Sequence, residues 1–439
     1  MLEPACVPGR PPRYIRNMRV LRASLFLVIF LLPLAAQDVK PKDVREVAKG
    51  GSNAIPKLQE YLKNPATDIR AEAVKQLTEV GTAGSLDPLI QATQDNDPEI
   101  QVLATDGLVN FYSPGYVKTG ISGSLRKVGT TIKGKFTDTN DLVIDPYVTV
   151  RSEVIAAIAR LVTGGASMES RANAAHAEGI LRGRAAVPEL VEATHSKDTD
   201  VIYESLVALQ KIRDESTGSR IAFRLHDLDP KVQIAAIQTT GILLNKAAVP
   251  DLTDVLNHTR DAKVKREALT AIAMLPVPES RSLYAVYLHD KDDRMRAAAA
   301  EGYARLRAPA DVPMIEKAWQ EEGKPAPRLS LAFALVMSGK TDLSEFSPLQ
   351  FLINNLNSAA YNGVAYPFLV ELARDPAVRQ ALYAPLGTAT KDEKIGLARV
   401  LARSGDSGSV APLEKLSKDN DPAVAQEGLR ALRSLQSRM

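Results

Sequence analysis

The chain has 439 residues, of which 24% are charged and 5% aromatic, with a formal net charge of +3. This is the charge content of a folded chain, not a disordered one. The length fits about three ordinary domains, or equally an array that grows by adding units. The positive balance sits in residues 1–36, which hold five arginines and one glutamate; residues 37–439 hold 50 bases and 51 acids, net −1, so charge makes no case for nucleic acid or an anionic membrane.

The N-terminus reads as a secretory leader. Arg13, Arg16, Arg19 and Arg22 precede an apolar run of ten, Leu25 to Leu34, and Ala35–Ala36–Gln37 follows. This pattern predicts a signal peptide over 1–36, with Met18 an alternative start. The run is short for a span, which needs about 20 residues, so no stable membrane span is expected after cleavage. The single cysteine, Cys6, lies in the leader. The mature chain is therefore expected to have no disulfide, thiol nucleophile or thiolate metal site, and its expected location is exported, periplasmic or extracellular.

Residues 37–63 are expected to form a helical lead-in with Ala54, Ile55, Leu58 and Leu62 on one face. A recurring pair then begins. Its clearest copy is Ala185–Leu209, AAVPELVEATHSKDTDVIYESLVAL. Val187, Leu190 and Val191 have the i, i+3, i+4 spacing of a helix face, and Pro188 sits in its first turn. Asp198 and Asp200 open a second helix whose face is Val201, Ile202, Leu206 and Leu209. The second-helix pattern recurs at Ile69-Ala73-Leu77, Ile100-Ala104-Leu108, Val150-Val154-Ile158, Val232-Ala236-Thr240, Val264-Ala268-Ile272 and Met295-Ala299-Tyr303, then blurred at Ile395-Arg399-Ala402 and clearly at Val424-Gly428-Leu432. The commonest step is about 31 residues, a solenoid period. First-helix motifs keep pace: AAVPEL at 185, AAVPDL at 247, ADVPMI at 310 and GSVAPL at 408.

Three intervals break the period. Residues 113–147 read as a Gly- and Thr-rich insertion with short strand-like alternation in VGTTIKGKF. Residues 163–184 read as an additional helix around Arg171–Leu181. Residues 340–390 are irregular and hold Phe346, Phe351, Tyr361, Tyr366, Phe368 and Tyr383, dense for an aromatic-poor chain.

The AAVPxL helix and the Asp-x-x-Val-x-x-x-Ala helix resemble the HEAT family, most closely the short repeats of phycobilisome lyases, over about residues 50–439. The resemblance implies an all-α, right-handed α-solenoid of HEAT-like helix pairs over 37–439, with the irregular Gly-rich insertion at 113–147. It implies no activity, because such repeats serve in scaffolds, transport adaptors, lyases and a hydroxylase. HEAT-type deoxyhypusine hydroxylases hold iron with adjacent His-Glu pairs. This chain has no His-Glu dipeptide, the nearest being His176-Ala177-Glu178. No bilin-site constellation and no GxSxG setting is present.

The candidate residues are therefore partner-binding ones. The insertion offers Lys118, Arg126, Lys127, Lys133 and Lys135 between Tyr112, Tyr116 and Phe136. The irregular stretch offers Phe351, Tyr361 and Tyr366. His195, His226, His258 and His289 step by 31, 32 and 31 residues and end successive first helices. Such a row invites a metal, but stacked helices lie about 8–10 Å apart while zinc ligands lie about 2 Å from the ion. The plainer reading is a polar edge favoured at helix C-termini. The expectation is an exported, non-enzymatic protein-binding scaffold without cofactor. A protein partner comes first and an acidic envelope polymer second, with nucleic acid disfavoured. The alternative is a HEAT-like lyase or enzyme-accessory protein of the cell envelope.

Overall fold

The computed structural model describes residues 39–117 and 142–439. In chain order the helices are α1 (Pro41–Ala48), α2 (Ile55–Tyr61), α3 (Thr67–Val80), α4 (Leu86–Ala92), α5 (Pro98–Tyr112), α6 (Ser152–Gly164), α7 (Met168–Leu181), α8 (Val187–Ala193) and α9 (Thr199–Ile212). A 3-10 segment, Glu215–His226, stands where a first helix is due. There follow α10 (Pro230–Ile242), α11 (Val249–His258), α12 (Ala262–Ala273), α13 (Arg281–Tyr287), α14 (Asp293–Leu306), α15 (Val312–Glu321), α16 (Pro325–Met337), α17 (Pro348–Asn354), α18 (Asn362–Leu372), α19 (Pro376–Ala381), α20 (Pro385–Thr388), α21 (Lys391–Ser404), α22 (Val410–Leu416) and α23 (Pro422–Gln436). The described residues form no strand. The fold is an all-α solenoid of helix pairs.

The second helices make the stack. In order they are α3, α5, α7, α9, α10, α12, α14, α16, α18, α21 and α23, each packed on the next, with α1 on the outer side of α3. Their recurring triads are the core. Ile69, Ala73 and Leu77, Ile100, Ala104 and Leu108, and Val264, Ala268 and Ile272 are all at most 1% exposed. Each large member contributes about 1.5–3 kcal/mol by leaving water. Glycine lets the axes close up: a Cβ on Gly179 would meet Ala208 Cα on α9 at 2.9 Å.

Six of the eleven second helices start the same way. Asp97, Asp198, Asp229, Asp261, Asp292 and Asp421 are N-caps whose carboxylates accept from the free N–H groups of the first turn. In the copy first read, Asp198 alone caps; Asp200 donates its own backbone N–H to it and pairs with Lys231 Nζ at 2.7 Å.

Two expectations change. The pattern Val150-Val154-Ile158 belongs to α6, which is a first helix: it packs on α7 and lies beside α8. The stretch read as an additional helix is α7, the regular second helix of that pair, packed between α5 and α9. Its buried triad is Ala172, His176 and Ile180. Amphipathic spacing alone does not tell a first from a second helix, and His176 hid the triad. At the other break, residues 340–390 carry the stack onward: α17 packs on α16 and α18, and α18 passes the stack to α21. In α21 the buried members are Leu397 and Leu401, while Arg399 is exposed, so the blurred register there is displaced by two residues.

Candidate functional site

The solenoid curves so tightly that the C-terminal ends of second helices meet out of sequence order. Arg305 near the end of α14 skips α16 and forks onto Glu371 at the end of α18, with bonds of 3.0, 3.3 and 2.9 Å. Arg430 of α23 forks onto Asp145, 285 residues earlier, at 3.0 and 2.7 Å. These ends therefore form an inner edge.

Four arginines occupy that edge. Arg182 and Arg213 are the C-caps of α7 and α9, Arg374 follows α18, and Arg403 lies in the last turn of α21. Burial pushes the Arg182 and Arg213 guanidiniums down from their ordinary range, and repulsion from Arg403 adds to both. Arg374 acts on Arg213 in the same sense. Arg182, Arg213 and Arg403 thus lie close in one another's field, and Arg374 close to Arg213. Tyr366 is half-buried among them: burial raises its phenol, and Arg403, Arg399 and Arg213 oppose the rise.

A second polar group is buried under the inner face of α5, α7 and α9. Asn173 donates to Asp106 at 3.2 Å, and His176 Nδ1 meets Glu204 Oε2 at 2.9 Å. All four residues are at most 6% exposed. Tyr116 lies near them; burial and the charges of Asp106 and Glu204 hold its phenol well above its ordinary range. Close by, Glu178 is fully buried, and neither carboxyl oxygen has a hydrogen-bond partner. Burial, with help from Glu189, raises it far above the carboxylate range.

The residues singled out from sequence fall in several places. Lys118, Arg126, Lys127, Lys133 and Lys135 lie outside the described residues, as do residues 1–36, which the sequence reads as a leader. The ends of the insertion are held: Val117 N–H donates to Asn110 Oδ1 at 3.0 Å and Ile144 N–H to Ile180 O at 3.0 Å. His195, His226, His258 and His289 are all exposed at or just beyond first-helix ends. His195 stacks on Phe223 at 4.3 Å, and His258 Nδ1 bonds Asp254 O at 3.0 Å. No group of three or more possible metal ligands occurs among the described residues. The acids that follow the histidines serve turns and caps: Asp227 accepts from Asp229 N–H and Asp290 from Asp292 N–H, while Asp198 and Asp261 cap helices.

The aromatic stretch divides. Phe368 stacks on Phe333 at 4.5 Å, and Tyr383 OH bonds Ser409 Oγ at 2.9 Å. Phe351 packs edge-on against Trp319 at 5.3 Å under the Arg328 guanidinium. Tyr361 is half-buried at the start of α18. Only Tyr366 joins the inner edge. The sequence reading missed the arginines beside it. No single sequence signal picks them out: the helix-ending left-handed position that holds Gly81 holds Arg182 and Arg213 but also Leu244 and Arg307.

Residues 249–336 match the family model for HEAT repeats. That stretch is α11 to α16, and it contains the helix pairs read from AAVPDL and ADVPMI. Among solved structures the chain is similar to an engineered protein (18% identity, 87% of this chain and 98% of that one, TM-score 0.39). It is also similar to the CpcE–CpcF complex of phycocyanin lyase from Nostoc (16%, 61% and 92%, TM-score 0.37) and to importin beta (13%, 91% and 60%, TM-score 0.38). No curated protein matches its sequence.

Proposed function

We propose that the chain is an exported, non-enzymatic scaffold that holds a protein partner against the inner edge. The observation that carries this reading is the meeting of α7, α9, α18, α21 and α23 at one edge, closed by Arg430 and Asp145. Such an edge offers side chains from distant repeats to one partner, and its position depends on the whole stack. HEAT repeats supply the rigid frame for such a surface. The leader sequence supports export. No helix of the described residues is long and apolar enough to cross a membrane.

A photo-crosslinking residue placed at Tyr366, and separately at the exposed Val286 of α13, tests the edge. Irradiating the envelope fraction of the expressing cell is expected to give a discrete protein adduct from position 366 and none from 286. Equal labelling at both positions, or none at 366, overturns the reading. Export has its own test: N-terminal sequencing is expected to begin at Gln37, and a chain beginning at Met1 or Met18 overturns cleavage.

A further inference from the structure

Stacking does not account for the four arginines of the inner edge. Among the described residues, Arg182, Arg213, Arg374 and Arg403 form no ion pair. Of the nearby acids, Asp145 is taken by Arg430, Glu427 by Arg399 at 3.1 Å and Glu371 by Arg305, while burial disfavours the charged form of Glu178. Arg182 Nε is buried without an acceptor.

Their backbone makes the arrangement more costly. Arg182 and Arg213 sit at φ 51° and 59°, in the left-handed region, as Leu244 and Arg307 do at φ 53° and 51° at the ends of other second helices. Each costs about 1 kcal/mol that glycine would avoid. Gly81 ends α3 in the same conformation, at φ 58°. The strain recurs at other repeat ends, but unpaired guanidiniums that repel one another at one edge leave a positive surface open to an anion.

The chemistry of that ligand follows from the donors. Guanidinium forks take planar anions two bonds at a time, and carboxylate matches that geometry. The positive field is local, because residues 37–439 are nearly balanced in charge. A long polyanion would meet as many acids as bases beyond the edge. A short acidic stretch of a protein would not.

We propose that Arg182, Arg213, Arg374 and Arg403 form a docking site for a short Asp/Glu-rich segment of the partner protein, with Tyr366 packing beside its carboxylates. This rests on the scaffold reading and specifies what the scaffold grips.

Fluorescence anisotropy of a fluorescein-labelled hexaglutamate peptide with the full chain tests it. The peptide is expected to bind, and to bind less as salt rises. R213Q/R403Q is expected to weaken binding about tenfold or more, and R213K/R403K, which keeps the charges but loses the forks, about threefold. R260Q/R294Q, at exposed arginines outside the edge, should leave binding unchanged. Thermal melts of the Gln variant should show no loss of stability, since no contact is removed; should it fail to fold, the Lys variant decides. Undiminished binding in both variants, equal binding of labelled hexaglutamine, or displacement by inorganic phosphate or oligothymidylate in preference to free hexaglutamate would overturn the proposal. If the peptide fails while position 366 still crosslinks a protein, the scaffold reading stands and the acidic chemistry is wrong. Failure of both removes both.

Discussion

Arginines near the starts of second helices and the four arginines gathered at the inner edge have opposite surroundings. Near the starts of α3 and α14, Arg70 forks onto Asp95 at 2.7 and 3.1 Å, and Arg296 onto Glu322 at 2.8 and 3.2 Å. Both also reach back to carbonyls, Arg70 to Asn64 and Pro65, Arg296 to Asp290 and Lys291. In each case the acid lies 25 or 26 residues downstream, so the pair ties one repeat to the next. At the C-terminal ends Arg182, Arg213, Arg374 and Arg403 have no such acid. A solenoid is held by contacts between neighbours. Charges that serve the stack are therefore paired locally, and charges left over mark what the stack was not built to satisfy.

Breaking a paired charge should cost most. Arg305→Gln leaves Glu301, whose carboxyl burial already raises, without its cation, and releases Glu371 as well. The expected loss is about 3 kcal/mol, seen as a lower urea midpoint. A midpoint equal to wild type would remove the special place of paired arginines.

The next effect has the opposite sign. Glu178 has a folded-state pKa raised far above 4.5. Between 4.5 and that raised value the folded chain keeps a proton that the unfolded chain releases. Stability therefore falls as pH rises through that window, and rises again on acidification. Glu178→Gln removes the titration. It is expected to stabilise by about 1 kcal/mol or more at pH 8 and to differ little from wild type at pH 4. Parallel stability–pH curves for the two proteins would refute this account.

Smaller still is the pair that closes the edge. Arg430 and Asp145 are 49% and 26% exposed as side chains, so Asp145→Asn should lose only about 0.5 kcal/mol. It should nevertheless change the labelling pattern from position 366, if closure shapes the edge. Smallest of all, Arg213→Gln should leave the melting temperature within about 1 °C, because no native contact is lost. A clear drop would mean that Arg213 belongs to the stacked class after all.

Much of the fold was legible in the letters because stacking is local. Val201, Val232 and Val264 repeat at nearly constant steps since each must fill the same place against its neighbour, and each is 1% exposed. The aspartate caps and the pairs read as AAVPDL and ADVPMI needed no further information. Less legible were places where two answers share one periodicity. The α6 pattern fits either helix of a pair, and only its position beside α8 decides. The aromatic stretch near 360 looked like one surface, yet Phe368 and Tyr383 are spent on packing and Tyr366 alone reaches the edge.

The sequence by itself determined the helix pairs, their period and the chemistry that caps them, because these depend on residues within about one repeat of each other. The tertiary structure alone decided where the array bends back on itself. Curvature adds up from small rotations at every junction, and no single window of sequence contains it. That accumulated bend brings Arg430 to Asp145 and gathers four arginines from separate repeats. In the sequence they are isolated basic residues; in the fold they are one site.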